Sequence, residues 1–186
     1  RLVVLRADIL VGKELREEAI ELVRQAIKLN PEELRLRIAL ANLYSGNQRW
    51  EEARITLDEA KEEVGDLVGL RLAMAQLVMR RTDRALDTDA LYELAETDDT
   101  FTKEEQAQLL RELASYGLSM RQTDFASPLV ERLIKLEPHK LDNWSVRFNL
   151  ALRQIDSTNL DAALAKIEEL EGQGPLWHYC AAARLH

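Results

Sequence analysis

Two series of alanines, running in step, constrain this chain more than any other feature. The first is Ala7, Ala41, Ala75, Ala114 and Ala151, with gaps of 34, 34, 39 and 37 residues. The second is Ala19, Ala53, Ala90, Ala126 and Ala163, with gaps of 34, 37, 36 and 37. A third set marks where units stop: Pro31, Gly65, Pro138 and Pro175, the third unit having no clean stop. Self-similarity at a fixed period of this size is the signature of stacked structural repeats. Alanine at matched places has a steric meaning. Two helices that cross closely leave no room for a long side chain, and a bulky residue there overpacks the contact.

Between the alanines the apolar spacing is helical. In the second unit Ile38, Leu40, Ala41, Leu43 and Tyr44 form one wide stripe. After Gly46-Asn47-Gln48 a second stripe follows, Trp50, Ala53, Leu57, Ala60 and Val64. Steps of three, four and seven put these residues on one buried helix face. Each unit therefore reads as helix, short turn, helix, and no alternating strand run bounded by turn residues is found.

These residues resemble the tetratricopeptide repeat family, whose period is 34. The second unit matches most fully, at Leu40, Ala41, Tyr44, Ala53, Leu57 and Ala60, with Gly65 in place of the family's proline. The first matches at Ala7, Leu10, Ala19, Val23, Ala26 and Pro31. The fourth matches at Leu113, Ala114, Ala126, Val130, Leu133 and Pro138, and the fifth at Leu150, Ala151, Ala163, Ile167, Leu170 and Pro175. The resemblance implies an all-α fold, a right-handed α-solenoid of antiparallel helix-turn-helix repeats. A single array over residues 1–186 is expected, with units at about 1–33, 34–67, 68–101 (irregular), 102–140 and 141–176, and the start of a sixth at 177–186.

In that family the first helices line a concave groove, and the implied function is a non-catalytic scaffold that binds a peptide or protein segment there. The family's groove positions fall here on Val4, Asp8 and Val11 in the first unit. They fall on Arg35, Ile38, Asn42 and Ser45 in the second, and on Leu72, Gln76, Met79 and Arg80 in the third. In the fourth they are Gln108, Arg111, Ser115 and Leu118, and in the fifth Ser145, Phe148, Leu152 and Ile155. Apolar contacts, amides and an arginine for a carboxylate suit an amphipathic or extended ligand. One subclass grips a C-terminal carboxylate with Lys, Asn and Arg. Its places carry Val4, Asp8, Ala39, Gly69 and Ala73, so no clamp of that type is expected.

Local punctuation adds detail. Thr102-Lys103-Glu104-Glu105 has the form of a capping box. Asn30-Pro31-Glu32-Glu33 suggests a proline at a first helical position. Ser127-Pro128 predicts that the fourth unit's second helix starts late, because proline is tolerated only in the first turn. The third unit's second helix, near 89–96, reads as short, with a loop over 97–101 after it.

Composition removes other classes. Apolar residues at 46% can offset chain entropy, which excludes a disordered chain. The net charge of −8 argues against a nucleic-acid partner, and no apolar run is long enough for membrane insertion. A single cysteine, Cys180, excludes a disulfide framework and a multi-thiolate metal site. Residues 87–106 carry eight acids and one base. A calcium loop counted from Asp87 would need a ligand at Leu91 and glycine at Tyr92, so the stretch reads as helix starts and solvated loop. His178 and Cys180 are two apart and point to different helix faces. No phosphate loop, zinc-protease motif or nucleophilic set occurs. No enzyme activity, cofactor or metal is expected. The chain starts at Arg1 without methionine and ends at His186 inside an amphipathic run, which suggests a piece of a longer protein. A non-catalytic arm of a larger transferase or kinase is the alternative role, and an RNA-reading repeat the least favoured. Exposed apolar faces at the array ends would allow a homodimer. The compartment stays open, the cytoplasm slightly favoured.

Overall fold

A computed structural model describes residues 2–81, 85–97 and 100–184. Among these residues there are eleven α-helices and no strand. The chain divides into two compact units, Arg1–Leu94 and Ala95–His186.

In the first unit α1 (Leu2–Gly12) pairs with α2 (Arg16–Leu29), and α3 (Leu34–Gly46) with α4 (Trp50–Val64). Helix α2 packs on α3, and α4 on α5 (Val68–Arg80). A short helix, α6 (Thr88–Ala95), spans the boundary. The second unit repeats the arrangement. Helix α7 (Lys103–Ser119) pairs with α8 (Thr123–Leu136), α9 (Leu141–Gln154) with α10 (Ser157–Glu171), and α11 (Pro175–Arg184) packs on α10.

The alanines sit where the helices cross. Ala7, Ala41, Ala75, Ala114 and Ala151 are all buried, as are Ala19, Ala53, Ala126 and Ala163. Ala90 is the exception and is only half-buried. It lies on α6, which has eight residues and cannot cover a full partner helix. Around the alanines, Ile20, Val23, Leu40, Tyr44, Leu57 and Leu70 fill the core of the first unit. Phe148, Leu160, Ile167 and Cys180 belong to the core of the second.

Four of the hairpin turns use one device. Glu14, Gln48, Arg121 and Ile155 each adopt positive φ, between 55° and 64°. The residue after each closes the turn with a backbone bond to a carbonyl five residues back. These bonds are Leu15 N to Leu10 O at 2.9 Å, Arg49 N to Tyr44 O at 2.9 Å, Gln122 N to Gly117 O at 2.8 Å and Asp156 N to Ala151 O at 3.0 Å. They satisfy carbonyls that the helix end leaves without an intrahelical donor. None of the four residues is glycine, so each turn carries a left-handed cost of about 1–2 kcal/mol. The cost falls most heavily on Ile155, which is β-branched.

One hairpin exchanges large and small residues. Three positions after its alanine the second unit carries Tyr44, while the fourth carries Gly117. A Cβ at Gly117 would lie 2.8 Å from Phe125 Cδ1 on the facing helix. Phe125, itself buried, reaches into the space that a side chain at 117 would need.

Two expectations are corrected. Pro31 is not at a first helical position: α3 begins at Leu34, and Pro31 lies in the turn before it. Its carbonyl accepts a hydrogen bond from Arg37 Nε at 3.0 Å, which ties the turn to the following helix. Helix α8 does not start late. It runs from Thr123 with Pro128 inside it. Proline at the sixth position removes only the bond to the Asp124 carbonyl, in the first turn, where water can replace it. The capping box is present as expected: Thr102 Oγ1 accepts from Glu105 N at 3.2 Å, and Thr102 N donates to Glu105 Oε2 at 2.8 Å.

The crossing argument predicts a contrast between two alanines. Ala53→Leu, at a fully buried crossing, should lose roughly 1–3 kcal/mol in urea denaturation, whereas Ala162→Leu on the exposed face of α10 should change stability by less than about 0.5 kcal/mol.

Candidate functional site

Helix α3 packs against α5, and α7 against α9, but α1 and α3 make no comparable contact. A groove of about 820 Å³ opens between α1 and α3 instead. Its floor is apolar: Val4 and Leu5 from α1, Ala26 from α2, and Leu36, Ile38 and Leu43 from α3. Its polar groups are Asp8, Asn30, Glu33, Arg35 and Asn42. Val4 and Ile38, and likewise Asp8 and Asn42, hold matching repeat positions 34 residues apart and line the same cavity.

The charged groups of the groove are free. Among the described residues, the side chains of Asp8, Glu33 and Arg35 make no hydrogen bond or ion pair within the chain. Asp8 and Arg35 are exposed. A charge left unpaired beside apolar surface is costly to cover unless the covering group supplies a partner. The groove can therefore accept an apolar side chain on its floor and a polar or charged group at its edge.

The residues expected to line a groove divide into three groups. Arg35, Ile38 and Asn42 line this cavity, together with Val4, Asp8 and Val11 of the first unit. Leu72, Gln76 and Met79 lie on α5 and do not line it. Leu72 and Gln76 are half-buried, and Met79 is buried. Leu152 is exposed on α9. Two residues are held by the interior. Phe148 is 0% exposed, so it has no surface to offer a ligand. Arg111 is committed to a polar network: its Nε donates to Asn143 Oδ1 at 2.8 Å and its Nη2 to Glu137 Oε2 at 2.8 Å. Asn143, also 0% exposed, completes the network by donating to the Glu137 carbonyl at 3.1 Å.

Arg111 is one of several interior arginines. Arg37, Arg71 and Arg147 each precede a crossing alanine by four residues, which stacks the guanidinium stem on the alanine's own turn. Arg37 pairs with Glu63 of α4. Arg71 grips Asp66 with two bonds of 2.9 Å and donates to the Leu94 carbonyl at 3.2 Å. Arg147 pairs with Glu131 of α8 and donates to Asn159 at 2.7 Å. Sequence reasoning missed this set. The recurring Arg four places before Ala was its visible signal.

The remaining candidates have structural roles. Asp87 Oδ1 accepts from Ala90 N at 3.0 Å near the start of α6, and Glu105 belongs to the capping box. Arg84, Asp98 and Asp99 lie outside the described residues. Burial pushes the Cys180 thiol above its ordinary range, away from the reactive thiolate. Among the described residues no three His, Cys, Asp or Glu side chains gather to hold a metal ion. No described helix is long and apolar enough to cross a membrane.

Comparison with known proteins agrees with this architecture. Residues 12–77 match the sequence profile described as tetratricopeptide repeat. No curated protein sequence matches the chain. Among solved structures, that of pilF from Pseudomonas aeruginosa is similar with a TM-score of 0.56 at 12% identity, over 99% of this chain and 86% of that one. YrrB, described as a TPR protein with an unusual peptide-binding site, gives a TM-score of 0.49 at 15% identity, over 97% of this chain and 90% of that one. At 12% identity the likeness to pilF is one of fold.

The interior arginines generate two predictions. Arg111→Ala should cost roughly 1–3 kcal/mol of unfolding free energy, because it leaves the buried Asn143 oxygen without its donor, while Glu137 keeps Lys140 and the Asn143 amide. A loss under about 0.5 kcal/mol would contradict the network. The Arg71 guanidinium, with help from Lys61, holds the Asp66 carboxyl below the usual carboxylate range. A lowered folded value stabilises above the unfolded value of about 3.9 and loses that contribution as pH falls through the folded value. The stability gap between wild type and Asp66→Asn should thus be constant above about pH 5 and shrink below about pH 4 in urea titrations.

Proposed function

We propose that this chain, whose residues 12–77 match the tetratricopeptide repeat profile, is a non-catalytic scaffold that takes a peptide or protein segment into the groove between α1 and α3. One observation carries the reading: a largely apolar cavity of about 820 Å³ opens at repeat-matched positions of two first helices, and its charged groups have no partner among the described residues. The buried Arg37 and the half-buried Arg71, Arg111 and Arg147 are paired, so unpaired groups in the groove are available to a ligand. The cavity is within the size range of ligand sites that bury an apolar anchor and orient it with a few polar groups.

The contact splits into roles. Val4 and Ile38 form the floor that accepts apolar anchors. Asn42 offers an amide, which can donate and accept and so orients a peptide backbone or side chain. Arg35, exposed and unpaired, meets a carboxylate of the ligand. Leu72 and Gln76, half-buried on α5 in the same unit, extend the contact beyond the first groove. Affinity in such a contact concentrates in the few anchors that become fully buried.

Ile38→Arg puts a charge on the floor at a half-buried position whose side chain also packs against the core of the first unit. A pull-down with the full protein should lose its specific partner with Ile38→Arg and keep it with Ile55→Arg, a half-exposed residue of α4 outside the groove. Circular dichroism of both variants should match wild type. Retention of the partner by Ile38→Arg would remove the groove from the reading.

A further inference from the structure

The groove's charges are unevenly distributed along its length. Glu33 and Arg35 stand together at the N-terminal end of α3. Towards the other end Asp8 and the neutral Asn42 line the cavity; Arg16 borders the adjoining pocket with Val11 and Asn42, and its Nη1 donates to Asn47 Oδ1 at 3.0 Å. Asn42 follows Arg35 by seven residues on α3, so the two ends are about 10 Å apart along the helix axis. One end thus carries both signs, whereas at the other Asp8 has no hydrogen-bond or ion-pair partner among the described residues.

We infer that the partner is a basic amphipathic segment, one that lays apolar side chains on Val4 and Ile38 and sets a lysine or arginine on Asp8; this rests on the groove reading above. The argument is one of charge complementarity. A segment that covers Asp8 strips water from a carboxylate that no described residue pairs with, which is unfavourable unless the segment brings a cation. An acidic residue at that place adds repulsion to the desolvation, so the same carboxylate excludes acidic competitors. At longer range the net charge of −8 favours the approach of cationic partners. Asn42 Oδ1 can accept a second hydrogen bond from the same ammonium or guanidinium group. Asp8 is the specificity residue in this arrangement, and Val4 and Ile38 supply affinity.

The test uses a displayed library of random twelve-residue peptides, selected separately on the wild-type protein, on Asp8→Lys and on Ile38→Arg. Wild type should enrich peptides with Lys or Arg a fixed distance from two apolar residues. Asp8→Lys should enrich Asp or Glu at that place. For a selected peptide, exchanging the lysine for glutamate should weaken wild-type binding about three- to tenfold, with the difference falling as salt rises. Peptides that bind wild type and fail on Ile38→Arg, but carry no charge preference that Asp8→Lys reverses, overturn the inference and leave the groove reading standing. Peptides that bind Ile38→Arg as well as wild type, or a library that enriches nothing, overturn both.

Discussion

Close approach of two helices at an alanine is the constraint on which the rest of the structure depends. Where Ala41 faces its partner helix there is no side chain beyond a methyl to hold the axes apart. The helices therefore pack backbone to backbone, and larger residues one turn away interlock around them. Because the same crossing recurs at Ala7, Ala75, Ala114 and Ala151, the first helices fall at regular intervals along the chain. The groove follows from that regularity. Positions 34 residues apart become neighbours, and a surface built from α1 and α3 acquires paired residues that the sequence never brings close.

The charged residues divide by the same logic. An arginine four residues before a crossing alanine is pressed into the hairpin and cannot stay solvated, so each is matched by a carboxylate or a carbonyl. Arg37 meets Glu63 and the Pro31 carbonyl, Arg71 meets Asp66, and Arg147 meets Glu131. These pairs fix the turns and the packed faces in register. They contribute less to net stability than their number suggests, because desolvation offsets much of the attraction. What they do is make each junction specific. Arg35, two residues from Arg37, points out of the hairpin on the other side and is left to the solvent. A shift of two positions on a helix separates an internal tie from a free group at the groove edge.

Much of this was legible in the sequence. The alanine series located the crossings, Gly46-Asn47-Gln48 located a turn, and the short helix near 89–96 is α6. The groove positions of the first two units, except the buried Ser45, converge on one cavity because both follow the 34-residue period without interruption. Other features depend on distant partners. Whether Arg111 is solvated or tied is decided by Glu137 and Asn143, 26 and 32 residues further along. Whether Phe148 faces a ligand or the core depends on how closely its neighbours pack, which a position number within a repeat does not carry. Ala90 matched the series but sits on a helix too short to make the crossing. Pro128 was misjudged because a rule about helix interiors was applied at a place where only one first-turn carbonyl loses its donor.

The account rests on the face formed by α1 and α3 being the one that meets a partner. Site-specific photo-crosslinking tests this most directly, with a photoreactive amino acid placed in turn at Ile38 and at Ile55 of the full protein. Adducts of one discrete mass from position 38, with none from position 55, are the predicted result. Adducts from position 55 alone would contradict it.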